Sequence, residues 1–243
     1  ISLMAEVLEL KAIAKGSATG VVLESALDKG KGATATVLVQ KGCMNMGDNI
    51  ICGKEYGRIR AMIDQDGKKV DTATPSMPVV ILGLSGAPEV GDEVLSAVND
   101  KKIRDIAEFR KTKLRDNKFA SQYQAPTLDN MFSNLKKGEV PTLNILLKTD
   151  VQGSAQAICD SLTKLNTDEV KVKIISSSAG AINESDIALA EASNAIIFGF
   201  NVRADSQAKK TVMEKKIDLR YYSIIYDLIN DVKSGMSGLL TPE

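Results

Sequence analysis

From Glu6 to Val98 the apolar positions come in short β-rich runs, at residues 7–13, 19–27, 34–39, 49–52, 58–63, 78–84 and 93–98. Between them stand turn sequences, Asp28-Lys-Gly-Lys-Gly32, Lys41-Gly42, Met46-Gly-Asp48, Asp64-Gln-Asp-Gly67 and Ser85-Gly86, where glycine reaches positive φ at little steric cost. Along the third run Thr34, Thr36, Leu38 and Gln40 fall on one face and Ala35, Val37 and Val39 on the other, the two-residue period of a strand. Strands at this spacing with no helical period predict an antiparallel barrel or sandwich. Closure removes the exposed edges, which favours the barrel.

The period changes at residue 101. Residues 101–118 contain no Gly or Pro and are rich in helix formers, with Ile103, Ile106, Ala107 and Leu114 as a thin apolar stripe on an otherwise charged surface. A helix that is polar around most of its girth is a solvent-bridging connector or a nucleic-acid surface, and its place between two patterns favours the connector. Residues 119–141 read as linker, with a short apolar helix around Leu128 to Leu135.

From Thr142 the rhythm is strand and helix in alternation. Strands are predicted over 143–148, 171–177, 195–199 and 217–221, and helices over 155–165, 187–192 and 224–233, the second opening on Asn183 as its cap. That alternation predicts parallel pairing with helices on both faces, an α/β/α sandwich. The expected organisation is a β-barrel over 1–100, a basic helical linker over 101–141, the sandwich over 142–235 and the start of a further connector over 236–243.

Charge sharpens the same division. The 243 residues carry 31 Lys+Arg and 31 Asp+Glu, but the zero is uneven. Residues 1–100 hold 10 basic against 13 acidic side chains, residues 101–137 hold 10 against 4, and residues 138–243 hold 11 against 14. A basic segment thus separates two mildly acidic ones. There is no histidine, which excludes Ser-His-Asp and Cys-His nucleophiles, a His general base and His-containing zinc sites. Cys43, Cys52 and Cys159 make no CxxC pair, so neither a metal cluster nor a disulfide framework is supported. With no signal peptide and no apolar run near the ~20 residues that span a bilayer, the expected compartment is the cytoplasm. The opening Ile1-Ser-Leu-Met reads as an internal start, cut from a longer chain.

Candidate chemistry is sparse. Lys29 and Lys31 sit in a glycine turn, where a plain hairpin explains them as well as a contact role does. In Tyr56-Gly-Arg-Ile-Arg60 the strand period puts Arg58 and Arg60 on one face and Ile59 on the other, a solvated face or a phosphate-contact face. The basic face of the connector comprises Lys101, Lys102, Arg104, Arg110 and Lys111. In the α/β part, ligands in such sheets bind beyond the carboxyl ends of the strands. The loops there offer Asp150, Ser154, Asn201 and Arg203, a possible small-molecule enzyme site, with Asp150 or Ser154 as a helix cap the plainer reading. Neither GxGxxG nor the phosphate loop GxxxxGKS/T occurs, and Cys159 has no histidine to activate it. No catalytic residue and no metal ligand is assigned.

Several long motifs nonetheless occur in a familiar order. Ala5-Glu-Val-Leu-Glu-Leu-Lys-Ala12, Leu27-Asp-Lys-Gly-Lys-Gly32, Tyr56-Gly-Arg-Ile-Arg-Ala-Met62 and Pro78-Val-Val-Ile-Leu-Gly-Leu-Ser-Gly86 resemble the second domain of bacterial translation initiation factor two, a translational GTPase. Leu147-Lys-Thr-Asp-Val-Gln-Gly-Ser154, Gly180-Ala-Ile-Asn-Glu-Ser-Asp186, Ile197-Phe-Gly-Phe-Asn-Val-Arg203 and Tyr222-Ser-Ile-Ile-Tyr226 continue the resemblance into its third domain. The resemblance implies a barrel that touches small-subunit ribosomal RNA and an α/β spacer toward the end that holds initiator tRNA. It also implies that GTP and Mg2+ belong to a domain preceding this barrel, that initiator tRNA is bound by a domain following Leu239-Leu-Thr-Pro-Glu243, and that this part is a non-enzymatic monomer without its own cofactor or membrane contact. On this reading the segment 101–118 is a lever between nucleotide and tRNA ends.

Overall fold

The computed structural model describes residues 2–9, 11–28, 30–122, 141–167 and 169–239. It divides into two compact units, residues 1–118 and 119–243.

The first unit opens with a short helix, α1 (Ser2–Leu8), and continues with nine strands, β1 (Thr19–Asp28), β2 (Gly32–Lys41), β3 (Met44–Asn45), β4 (Asn49–Cys52), β5 (Glu55–Ile63), β6 (Lys69–Val70), β7 (Thr72–Ala73), β8 (Pro78–Leu84) and β9 (Glu93–Ala97). The main sheet runs β4-β9-β1-β2-β8-β5-β6, and β4 also pairs with β5, so six antiparallel strands close into a barrel. The expected barrel is present. Its interior follows from the strand period: Ala33, Ala35, Val37 and Val39 of β2 are buried with Val22, Ile50, Ile59, Met62, Val79, Ile81 and Val94. The run 7–13 is not a strand. α1 ends at Leu8, Glu9 takes a positive φ of 43°, and Val7, Leu8 and Ile13 are exposed, so no sheet buries the described residues of this segment.

At residue 100 a helix begins, α2 (Asp100–Gln122). Ile103 and Ala107 of its stripe are buried on the barrel wall against Ile51, Tyr56 and Leu95. Arg110 donates from Nη1 to the Gly53 carbonyl at 2.8 Å. The helix is polar on its outer face only; its first turns are part of the barrel unit. The short helix expected around Leu128 to Leu135 lies outside the described residues.

The second unit contains β10 (Thr142–Thr149), α3 (Gln152–Thr163), β11 (Lys171–Ala179), α4 (Glu184–Ser193), β12 (Ile196–Phe200), α5 (Ser206–Lys215), β13 (Leu219–Tyr222) and α6 (Ile225–Leu239). Its four strands are parallel in the order β11-β10-β12-β13. β10, central and covered on both faces, is buried without interruption from Ile145 to Thr149, as a two-sided strand must be. One face packs Ile145, Leu147, Phe198 and Phe200 under Ile158 and Leu162 of α3 and Leu228, Val232 and Met236 of α6. The other packs Leu146 and Ile197 against Ile187 and Ala190 of α4 and Ala208 of α5. Helices thus cover both faces, as expected.

Three local readings change. α5 was not expected: between Arg203 and Ile217 only Ala208 and Val212 repeat at helical spacing, and the helix is set by Asp205, whose carboxylate accepts the Ala208 N–H at 2.8 Å. Neither Asp150 nor Ser154 caps α3; Val151 holds that position in extended conformation with no side-chain bond. Asp150 instead accepts its neighbour's N–H, from Val151 at 2.9 Å, and the Asn201 amide at 3.3 Å. α6 continues to Leu239 with Met236 buried, so helix and core run past residue 235. Asn183 does cap α4, in a reciprocal box with Asp186.

Candidate nucleic-acid interface

The expected contact residues occupy three elements. Lys29 lies outside the described residues. Lys31 is exposed on the β1–β2 turn, which Asp28 shapes by accepting the N–H groups of Gly30 and Lys31 at 2.7 and 2.9 Å. The N–H bond from Lys31, followed by that from Gly30, holds the Asp28 carboxyl below its usual range. Arg58 and Arg60 project from β5 on either side of buried Ile59. The strand order β2-β8-β5 sets Lys31 two strands away from them, so the structure brings the two arginines together and leaves the lysine apart.

β5 is bent where the arginines stand. Its pairing with β8 jumps between Gly57↔Leu84 and Ala61↔Leu82. Gly57 and Gly83 allow this bulge: a Cβ on Gly57 would sit 2.2 Å from the Gly83 carbonyl oxygen, and one on Gly83, at φ +115°, would sit 2.2 Å from the Arg58 carbonyl oxygen. The bulge re-aims the side chains beside it. Arg58 then donates its Nε–H to the Gly47 carbonyl at 2.9 Å, while the Gly47 N–H donates back to the Ile59 carbonyl at 2.9 Å. The guanidinium plane of Arg58 is therefore fixed by backbone on the neighbouring turn.

Beside Arg58 lies a cavity of about 500 Å³ lined by Gly47, Asn49, Tyr56, Gly57, Arg58, Asp100 and Arg104. Arg104, from the basic face of α2, stands over the Tyr56 ring with its guanidinium carbon 5.7 Å from the centroid, and one of its terminal nitrogens is 3.2 Å from Asp100 Oδ2. Of the other expected helix residues, Arg110 faces the barrel and is half-buried, while Lys101, Lys102 and Lys111 are exposed. Tyr56 and Asn49 were not singled out by their sequence; the only signal was an aromatic residue next to Gly-Arg-Ile-Arg.

A second cavity, of about 370 Å³, lies farther along α2 between Lys54, Glu89, Asp92, Arg110 and Lys113. Lys54 and Glu89 pair at 2.6 Å across its mouth. Burial, aided by the charge of Glu89, raises the Asp92 carboxyl above its ordinary value, against the N–H bond from Glu89 and the charges of Lys54 and Arg110. Burial first, then the carboxylates of Asp92 and Glu55, push the Cys52 thiol to about 12, so it is a packing group and not a nucleophile.

At the strand ends of the second unit, Asp150 and Asn201 meet at 3.3 Å, Arg203 stands over the Tyr221 ring at 6.0 Å, and Ser154 is in the first turn of α3. A residue not anticipated there is Lys148, buried at the end of β10, whose Nζ donates to Ser178 Oγ at 2.9 Å and to Asp186 at 3.2 Å. Its carboxylate partner is the same Asp186 that closes the α4 capping box, so the ion pair ties strand end to helix start. Among the described residues no His, Cys, Asp or Glu group could hold a metal ion, and no helix is long and apolar enough to cross a membrane.

The α/β unit matches the family of translation-initiation factor 2 over residues 117–233, and the barrel matches elongation factor G domain 2 over residues 17–97. Among solved structures, GDP-bound aIF5B from Aeropyrum pernix superposes with a TM-score of 0.52 at 19% identity, covering 97% of this chain and 39% of that one. A bacterial selenocysteine-specific elongation factor, EF-Sec, aligns over 39% of this chain and 17% of that one, at 19% identity and a TM-score of 0.34. The chain thus spans about two fifths of the length of the aIF5B structure it resembles. With both matches in chain order, a barrel of the elongation factor G domain 2 type followed by a domain of the translation-initiation factor 2 type, the chain is an initiation factor 2-like part of a translational GTPase.

Proposed function

We propose that this chain is the ribosome-docking and spacing part of a translation initiation factor that acts in the cytoplasm. Its barrel contacts small-subunit ribosomal RNA, and its α/β domain stands between a GTP-binding domain and a domain that holds initiator tRNA. The whole factor promotes initiator tRNA binding and subunit joining. The residues of this chain do not fit GTP with Mg2+: its sequence has no phosphate loop, and among the described residues no group of side chains could hold the ion. The chain itself is a monomeric binding module.

The observation that carries the RNA contact is the presentation of Arg58 and Arg60 from a bulged strand, with Arg58 held in plane by the Gly47 carbonyl. A fixed guanidinium presents a ready fork to phosphate oxygens, and side chains of this kind position a protein on the nucleic-acid backbone without reading sequence. Lys29 and Lys31 extend the same basic set from the β1–β2 turn. The test is titration of the 243-residue chain against small ribosomal subunits over a range of salt. Each Lys or Arg that neutralises a phosphate contributes a slope of roughly 0.7 to 0.9 in log affinity against log salt, so replacing all four by Gln is expected to flatten the slope by about 3. Unchanged affinity and slope in the quadruple variant would reject the assignment.

A further inference from the structure

The cavity beside β5 is walled by elements that are distant in sequence. β4 and β5 supply Asn49, Tyr56 and Arg58; the first turns of α2 supply Asp100 and Arg104. Its two guanidiniums are restrained in different ways. Arg58 spends its Nε–H on the Gly47 carbonyl, which leaves its terminal nitrogens without a protein partner among the described residues. Arg104 is stacked on Tyr56 and shares one terminal nitrogen with Asp100 across an exposed i,i+4 pair at 3.2 Å. An exposed pair of this kind contributes little, so an incoming anion can displace Asp100 at small cost. The volume, about 500 Å³, lies within the ~300–1,000 Å³ range of pockets that hold a small ligand.

We infer that this cavity takes one nucleotide unit of an RNA strand, its phosphate between Arg58 and Arg104, and that filling it holds α2 against the barrel. The inference rests on the reading of the barrel as RNA-facing. Its chemistry is that of the lining: two planar guanidinium forks for the phosphate oxygens, the Asn49 amide as donor and acceptor for ribose or base, and the exposed edge of the Tyr56–Arg104 stack for a base face. Because two of the seven lining residues, Asp100 and Arg104, belong to α2, a ligand that touches both walls binds only the seated helix. By mass action it then raises the ratio of seated to unseated helix by a factor of one plus ligand over Kd, about elevenfold at ten times Kd.

The experiment uses the 243-residue chain with purified small-subunit ribosomal RNA. Two quantities are read, affinity across salt and amide exchange of Ile103 to Arg110 with and without RNA. In the unaltered chain RNA is expected to slow exchange of these amides about tenfold at ten times Kd. Arg104→Gln is expected to flatten the salt slope by roughly 0.7 to 0.9 and to abolish the added protection. Asp100→Asn leaves Arg104 and the apolar seat in place and is expected to tighten binding by up to about fivefold. If Arg104→Gln and Asp100→Asn both bind as the unaltered chain does and RNA leaves α2 exchange unchanged, while Lys31→Gln with Arg60→Gln weakens binding, the cavity inference falls and the RNA-facing barrel stands. If the Lys31→Gln, Arg60→Gln double variant also binds unchanged, the barrel reading falls and takes the inference with it.

Discussion

Replacing Ile103 by Ala should loosen α2 from the barrel without unfolding the barrel. Ile103 is 2% exposed and sits in a small cluster with Ile51, Tyr56, Leu95 and Ala107, separate from the barrel interior. An Ile→Ala change in a packed core costs about 2–5 kcal/mol. The low end, about 2 kcal/mol, applies because a single helix on a wall can shift to close part of the void. Alanine's better helix propensity returns roughly 0.4 kcal/mol. The net of about 1.5 kcal/mol is roughly a tenfold rise in the population of the unseated helix. Amide exchange measures it directly: protection should fall about tenfold at residues 103–110 and stay within twofold on β1 and β2. No change at α2 would show that the apolar contact does not seat the helix. An equal fall throughout the barrel would show that helix and barrel are one cooperative unit.

Asp92→Asn should raise the melting temperature at pH 7. A carboxyl whose folded value is raised binds protons better in the folded state, so its ionisation weakens the fold as pH rises through that value, and the amide removes this loss. The gain should vanish below the ordinary carboxylate range, and a variant no more stable than the parent at pH 7 refutes the assignment; thermal melts at pH 7 and pH 3 decide. Lys148→Met should cost the α/β unit roughly 3 kcal/mol in urea unfolding, the lower part of the range for a broken buried pair, because the Asn183 N–H still serves Asp186. Adding Asp186→Asn should recover part of that loss, since no uncompensated charge then remains; a double variant no more stable than Lys148→Met alone would contradict this.

Legibility followed the physics of each element. Where burial repeats at the period of the backbone, as in Ala35, Val37 and Val39 or in Leu228 and Val232, sequence alone places the element and its inner face. Asn183 with Asp186 was legible for the same reason, since a cap is a local bond between residues three apart. Val7 to Ile13 misled because an apolar run is a strand only if something buries it, and the described residues of this run are exposed. α5 escaped because Ala208 and Val212 are too few to announce a period, although Asp205 is a sound cap. The interface was half visible. Outward Arg58 and Arg60 follow from alternation, but the partnership of Arg104 with Tyr56 joins positions 48 residues apart and depends on where α2 sits. Lys148 was hidden inside an apolar run because its partner, Asp186, arrives from another helix.

The ring of the barrel also has a history in time. Its two closing pairings differ in range: β4–β5 is a hairpin within residues 49–58, while β9 must bridge β1 and β4, joining Thr19 to Leu95 and Asn49 to Ala97. A ribosome making this chain therefore releases the hairpins first, and both rims of an open sheet stay unpaired until residue 97 has emerged. α2, which follows within three residues, arrives as soon as the wall it covers exists. The barrel is thus completed by its last strand and its helix almost together, and a nascent chain stalled between β8 and β9 would carry two free β edges, one on β1 and one on β4, in search of a partner.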